Sequence, residues 1–260
     1  MASIFVILLL SVGAFFVGGI PFGLIIARLL AHEDIRSVGS GNIGTTNVAR
    51  SAGSTAGVLT LVCDAGKGFL SVCVARLILS SVVDGGSVAL DLEGAYHWAI
   101  SFVYACCVLG HIFSPFLHFH GGKGIAVGFG GGLALNWPMA VMAFLVFLAL
   151  ALPTQYVSLG SVGAAVAIGV FAIIFGEPPF SVLCILVVGA TVVWAHRENL
   201  SRLSQGSERK FSIGSKDFGE KPIEEGKEKP HIQHPSAKKA QLLGNQPQER
   251  RSVRREKGTR

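Results

Sequence analysis

Charge is scarce in this chain. Of its 260 residues only 15 % are Asp, Glu, Lys or Arg, against 50 % hydrophobic residues and a mean hydropathy of +0.55. That balance excludes an ordinary water-soluble globule. The scarcity is also uneven: residues 1–196 hold 6 Lys and Arg against 7 Asp and Glu, a balance of −1, whereas residues 197–260 hold 16 against 9, a balance of +7. An apolar, nearly neutral body precedes a basic tail, which excludes a uniformly basic nucleic-acid binder. Cysteine is sparse too. Cys63, Cys73, Cys106, Cys107 and Cys184 all lie in apolar stretches without Cys-x-x-Cys or Cys/His ligand spacing, so they read as packing residues and no metal is expected. No basic stretch precedes the first apolar run, while Arg28 and Arg36 follow it. This favours a first membrane span with its N-terminus outside over a cleaved signal peptide.

What the chain has instead is long runs without charge. Ile4 to Ala27 is 24 residues, which as a helix reaches ~36 Å and spans a ~30 Å hydrocarbon core. Further apolar stretches, the first of them carrying Asp64, Lys67 and Arg76, cover 57–83, 94–116 and 178–195, and residues 124–176 form an uncharged block of 53. That block has to turn, with breaks at Asn136-Trp137-Pro138 and Pro153-Thr154-Gln155. The expectation is an all-α, polytopic integral membrane protein of about seven transmembrane helices. Arg28, Arg36 and Arg50, then Lys123, then Arg197, Arg202, Arg209 and Lys210 mark cytoplasmic loops; Asp84, Asp91, Glu93 and Glu177 mark the other side. Arg76 breaks the rule and must snorkel or pair internally.

Three polar segments share the expected cytoplasmic face. Ser40, Gly41, Asn42, Gly44, Thr45 and Asn47, with Arg50 close behind, combine glycines that turn backbone N–H groups inward with hydroxyls, amides and a guanidinium, the makings of an anion site. Gly39 to Gly44 also satisfies Gly-x-Gly-x-x-Gly, but a membrane span precedes it rather than the strand of a dinucleotide fold. Gly121-Gly122-Lys123 opens an apolar run, where free N–H groups, a helix dipole and an ammonium suit phosphate; it lacks the spacing of a Walker loop. His196 and Asn199 are three apart at the end of the last span, one face of a helix. The same segments also suit a flexible loop, a glycine hinge with an interfacial lysine, and a juxtamembrane anchor. Asp64 and Lys67, three apart in the second span, read as a local ion pair. Gln155-Tyr156-Val157-Ser158 joins two spans on the same face as the three segments.

In order and spacing these residues resemble the bacterial acyl-phosphate:glycerol-3-phosphate acyltransferases. The resemblance runs from Gly19-Ile20-Pro21-Phe22-Gly23 through Ser40 to Asn47 with Arg50, and Asp64-x-x-Lys67-Gly68. It continues in Gly110-His111-x-Phe113-Ser114-Pro115-Phe116, Gly121-Gly122-Lys123-Gly124, and His196-Arg197-x-Asn199 with Glu208. Thr45, Val127 and Gln155 depart from the pattern, where Ala, Thr and a basic residue are usual. The resemblance implies a multi-pass bacterial plasma-membrane enzyme that transfers a fatty acyl group from acyl phosphate to the 1-hydroxyl of glycerol 3-phosphate. It implies no cofactor, and glycerol 3-phosphate, acyl phosphate and membrane lipids as partners. His196 and Asn199 are the expected catalytic pair. Phosphate-binding residues are expected among Ser40, Gly41, Asn42, Gly44, Thr45, Asn47, Arg50, Gly121, Gly122, Lys123 and Ser158. Glu208 is expected to be structural.

Acyl phosphate carries its own leaving group, so no acyl-enzyme is required, and positioning with His196 or a substrate phosphate oxygen as proton acceptor suffices. No histidine is followed five residues later by Asp, which excludes the His-x-x-x-x-Asp mechanism of soluble glycerolipid acyltransferases. A transporter of phosphorylated solutes would share many spans and basic loops, but would place its site near the midplane, often within internal repeats; no repeat is present. Domain organisation is expected as a membrane unit, 1–210, and a basic tail, 211–260, too poor in large apolar residues to fold.

Overall fold

A computed structural model describes residues 2–83 and 96–211. The expected acidic connection with Asp84, Asp91 and Glu93 and nearly all of the expected tail lie outside the described residues. The described chain is all helical: α1 Ala2–Gly19, α2 Phe22–Ala31, α3 Thr45–Ala52, α4 Ser54–Val83, α5 His97–Ile112, α6 Ile125–Leu135, α7 Trp137–Thr154, α8 Val157–Ile174, α9 Pro179–Ala195 and α10 Arg197–Ser204.

By length and composition, five stretches are suited to crossing a membrane: Ile4–Ala31, Ser54–Ser81, His97–Leu117, Trp137–Thr154 and Val157–Ile174. A sixth arises if α9 and α10, bent by 53° at His196, count as one. The crossing expected at 124–136 is the 11-residue α6, ~16 Å long and half of a bilayer core. By this measure five or six crossings are supported and the seven expected are not confirmed. α6 nonetheless runs from the Lys123 loop, at one end of α5, to Asn136, whose partner Glu177 pairs with His97 at the other end of α5. The breaks at Asn136 and Gln155 fall where proline and asparagine placed them: Asn136 Oδ1 caps α7 by accepting from Met139 N at 3.2 Å, and Gln155 closes α7 in the left-handed region. A further break, at Ile20-Pro21, splits the first apolar run into α1 and α2.

Membrane helices gain little from burying apolar surface against one another, so their contacts rely on close backbone approach. Here glycines supply it reciprocally. A Cβ on Gly18 of α1 would lie 2.0 Å from the Cys107 carbonyl of α5, and one on Gly110 of α5 would lie 2.0 Å from the Phe15 carbonyl of α1. Gly68 and Gly130 do the same between α4 and α6. The outer faces carry Phe5, Leu29, Leu70, Leu152 and Ile174, all more than 60 % exposed, as a lipid-facing surface requires.

Polar groups tie the α6/α7 joint to its neighbours. Glu177 accepts from Asn136 Nδ2 at 2.8 Å and pairs with His97 Nε2. Arg76, expected to snorkel or pair internally, does the latter: its guanidinium donates to the Leu135 carbonyl at the end of α6. That carbonyl is one of the four a helix leaves unpaired at its C-terminus.

Candidate active site

The α2–α3 loop is folded by its own polar groups. Asp34 accepts from Arg28 and Arg36 at 2.8 and 2.6 Å, and hydrogen bonds from Arg36, then Arg28, hold its carboxyl well below the usual range. Asn47, buried at the start of α3, donates to the carbonyls of Ile35, Val38 and Asn42, and accepts from Ser40 N at 2.9 Å. Asn42 Oδ1 accepts from Gly44 N at 2.8 Å. The two amides thus build the loop, with Ser37 Oγ donating to the Asp34 carbonyl at 2.9 Å, while Thr45 Oγ1 is buried without a hydrogen-bond partner.

That loop lines one side of a cavity of about 520 Å³ whose far wall is made by α6 to α9. Its deep part is apolar, with Phe129, Phe144, Phe147, Ile168, Val188 and Val192. Its mouth gathers Ser40, Asn42, Gly44, Thr45, Asn47, Arg50, Lys123, Ser158, His196 and Asn199. Ten of the thirteen residues expected to carry catalysis or phosphate binding therefore come together, from stretches more than 150 positions apart.

Gly41, Gly121 and Gly122 do not line it, and the reason is where their N–H groups go. Gly41 N donates to the Val38 carbonyl at 3.0 Å, Gly121 N to Ile112 at 2.9 Å, and Gly122 N to His111 at 3.0 Å. The expected Gly-Gly phosphate cradle is thus corrected. These donors satisfy carbonyls that α5 leaves unpaired at its end, and the loop presents Lys123 to the cavity instead.

Lys123 Nζ donates to Asn199 Oδ1. Asn199 Nδ2 in turn donates to Glu208 Oε1 at 2.7 Å, and Arg202 Nε donates to Glu208 Oε2 at 2.8 Å. Burial pushes the Lys123 ammonium down to about 8, with Glu208 partly opposing the shift. Burial alone would raise Glu208, but hydrogen bonds from Asn199 and Arg202 hold it below its ordinary value. His196 sits in the bend between α9 and α10; its Nδ1–H donates to the Val192 carbonyl at 2.8 Å. That bond leaves the Nε2 lone pair as the ring's free acceptor. Ser158 Oγ is buried without a partner.

The segment after α10 closes over the mouth. Arg50 donates to the carbonyls of Lys210 at 3.3 Å and Arg209 at 3.5 Å, and Phe211 N donates to the Gln155 carbonyl at 2.8 Å. Burial, then the nearby Arg209, holds the Arg50 guanidinium below its ordinary value, so an anion is favoured beside it. Arg202, Arg209 and Phe211 line the cavity, as do Tyr104, Asp64 and His111. None of these six was expected as a site residue, because only the fold brings them to the cavity.

An apolar cavity that opens between membrane-spanning helices onto a cluster of cations defines a membrane enzyme acting on an anionic lipid or its precursor. Comparison with known proteins narrows that class. The family profile described as glycerol-3-phosphate acyltransferase matches residues 8–206. The glycerol-3-phosphate acyltransferase of Caulobacter vibrioides (strain NA1000 / CB15N) is 41 % identical over 215 residues, 82 % of this chain and 89 % of the relative. A crystal structure of PlsY (YgiH), an integral membrane glycerol 3-phosphate acyltransferase in its glycerol 3-phosphate form, superposes with a TM-score of 0.69 at 36 % identity, covering 79 % of this chain and 96 % of that one. The lysophosphatidic acid form of PlsY gives 0.66 at 35 % identity, with 79 % and 95 % covered. The chain belongs to the glycerol-3-phosphate acyltransferase family.

Proposed function

We propose that this protein transfers a fatty acyl group from acyl phosphate to the 1-hydroxyl of glycerol 3-phosphate, releasing lysophosphatidic acid and inorganic phosphate. One observation carries the reading: a single cavity joins an aromatic and aliphatic lining to a mouth holding Arg50, Lys123, His196 and Asn199. An acyl chain belongs in the first part and phosphate groups in the second. The family relationship, and the glycerol 3-phosphate and lysophosphatidic acid forms of the structural relative, support the acceptor and the product.

The chemistry follows from the groups at the mouth. The 1-hydroxyl oxygen attacks the acyl carbonyl carbon, a C–O bond forms, and the bond from that carbon to the phosphate oxygen breaks. The hydroxyl proton passes to His196 Nε2 or to a substrate phosphate oxygen. Lys123 and Arg50 neutralise phosphate charge, and the hydroxyls of Ser40, Thr45 and Ser158 orient it. Substrates held in line at this mouth gain most of their rate from positioning and from charge stabilisation in a site partly shielded from water. No acyl-enzyme is needed.

The mouth lies on the cytoplasmic side and the N-terminus outside, in the plasma membrane. The support is the basic residues of the α2–α3 loop, Lys123 and α10 on one side of the helices. The membrane unit extends through Phe211, whose backbone is bonded to Gln155, with the basic tail beyond it. Donor choice is tested with purified protein and glycerol 3-phosphate offered palmitoyl phosphate, palmitoyl-coenzyme A or palmitoyl-acyl carrier protein. Turnover with the phosphate alone is expected; equal turnover with a thioester overturns the donor assignment.

A further inference from the structure

The second span carries a buried ion pair that the mechanism above does not use. Asp64 and Lys67, one turn apart on α4, are 2.7 Å apart, with side chains 2 % and 3 % exposed. Such a pair adds little stability, because desolvation offsets attraction, so what else it touches is informative. Lys67 Nζ also donates to the Ile20 carbonyl at 2.8 Å, freed by the α1/α2 break, and lies 3.0 Å from His111 Nδ1. An ammonium has three protons and no lone pair. Two of them go to Ile20 and His111 while Asp64 supplies the opposite charge, its Oδ1 without a hydrogen-bond partner. Because an ammonium only donates, His111 Nδ1 has to accept.

A neutral imidazole accepting at Nδ1 carries its proton on Nε2. That edge of the ring faces the loop before α6. A Cβ on Gly122 would lie 2.1 Å from His111 Nε2, and one on Gly121 would lie 1.9 Å from the His111 carbonyl. The same carbonyl accepts from Gly122 N at 3.0 Å. Both glycines are therefore seated on one histidine, by its ring and by its backbone, and the next residue is Lys123.

The geometry points to His111 as a positioning residue for the reaction: the Asp64–Lys67 pair holds its ring in one tautomer and orientation, and the ring seats Gly121-Gly122 so that Lys123 reaches the mouth of the cavity. Asp64 and His111 themselves line that cavity. Displacement of a binding group by about 1 Å costs about 100-fold in rate, so a seat that is two glycines wide suffices to control Lys123. The Gly-Gly pair then serves close packing on His111 rather than anion binding.

The inference rests on the acyl-transfer reading, and a double-mutant cycle in the purified full-length protein separates the two. His111→Leu is expected to lower kcat/KM by about 10- to 100-fold, through KM for the same phosphate-bearing substrate whose KM rises in Lys123→Ala. Because His111 acts through Lys123, the double variant His111→Leu/Lys123→Ala is expected to be no worse than Lys123→Ala alone. His111→Asn, which keeps an acceptor for Lys67, is expected to recover part of the loss, and it replaces His111→Leu in the cycle should the latter not fold. Additive losses, or an unchanged KM in a folded His111 variant, overturn the inference. An unmodified protein without acyl transfer overturns the parent reading instead.

Discussion

Lys123 is the residue whose charge state the structure ties most directly to function. Burial brings its ammonium to about 8, so the free protein holds the cation below that pH and loses it above. Phosphate recognition then weakens as pH rises through about 8, and kcat/KM, which reports the free enzyme, is expected to fall about tenfold per pH unit beyond it, as for loss of one required proton. Lys123→Arg, whose guanidinium stays charged, is expected to keep activity flat across that range; an unchanged fall in Lys123→Arg would assign the titration elsewhere. Glu208 makes the opposite case. Its carboxylate joins Asn199 and Arg202 and is only 7 % exposed at the side chain, so Glu208→Ala leaves two donors without their acceptor. About 2 kcal/mol of stability is expected to go with it, seen as a lower melting temperature in detergent and a lower folded yield. A fully stable but inactive Glu208→Ala would move Glu208 from support to chemistry.

At the scale of elements, what the residues announced depended on how local the signal was. Breaks at Asn136 and Gln155 were legible because an asparagine cap and a proline act within one turn. α3 and α10 were not legible as helices of their own: each has eight residues, too short for its pattern to stand out from a loop. α6 ends where the Asn136 break put it, but at 11 residues it is too short to count as a span by length alone; Arg76 on another helix holds its last carbonyl, that of Leu135. The last crossing has a simple test. α9 has 17 residues, ~26 Å, enough with its flanks to cross. In a cysteine-free background, Cys placed at Phe175 and at Ser204 is expected to label from opposite sides of sealed vesicles, with Ser204 on the cytoplasmic side. Labelling from one side would make α9 re-entrant.

Across the whole molecule the site was legible where polarity was rare. Arg50, Lys123, His196 and Asn199 stand out of an apolar body because few other polar groups compete with them, and the fold brings all four to one cavity. The glycine loop misled for a physical reason: a Gly-Gly turn looks the same whether its N–H groups face a phosphate or the end of α5, and only the fold shows that they bond to His111 and Ile112. The strap formed by Arg209 to Phe211 over Arg50 joins positions about 160 apart, a pairing that no local pattern encodes. The central claim is that one cavity holds an acyl phosphate and glycerol 3-phosphate together for direct transfer. The measurement that tests it most directly follows inorganic phosphate and lysophosphatidic acid in parallel, with purified protein, palmitoyl phosphate and glycerol 3-phosphate. Equimolar formation of both, dependent on glycerol 3-phosphate and reduced about 100-fold or more in Lys123→Ala and Arg50→Ala, is the predicted result. Phosphate release that proceeds equally without glycerol 3-phosphate, or no lysophosphatidic acid from folded, membrane-inserted protein, would contradict it.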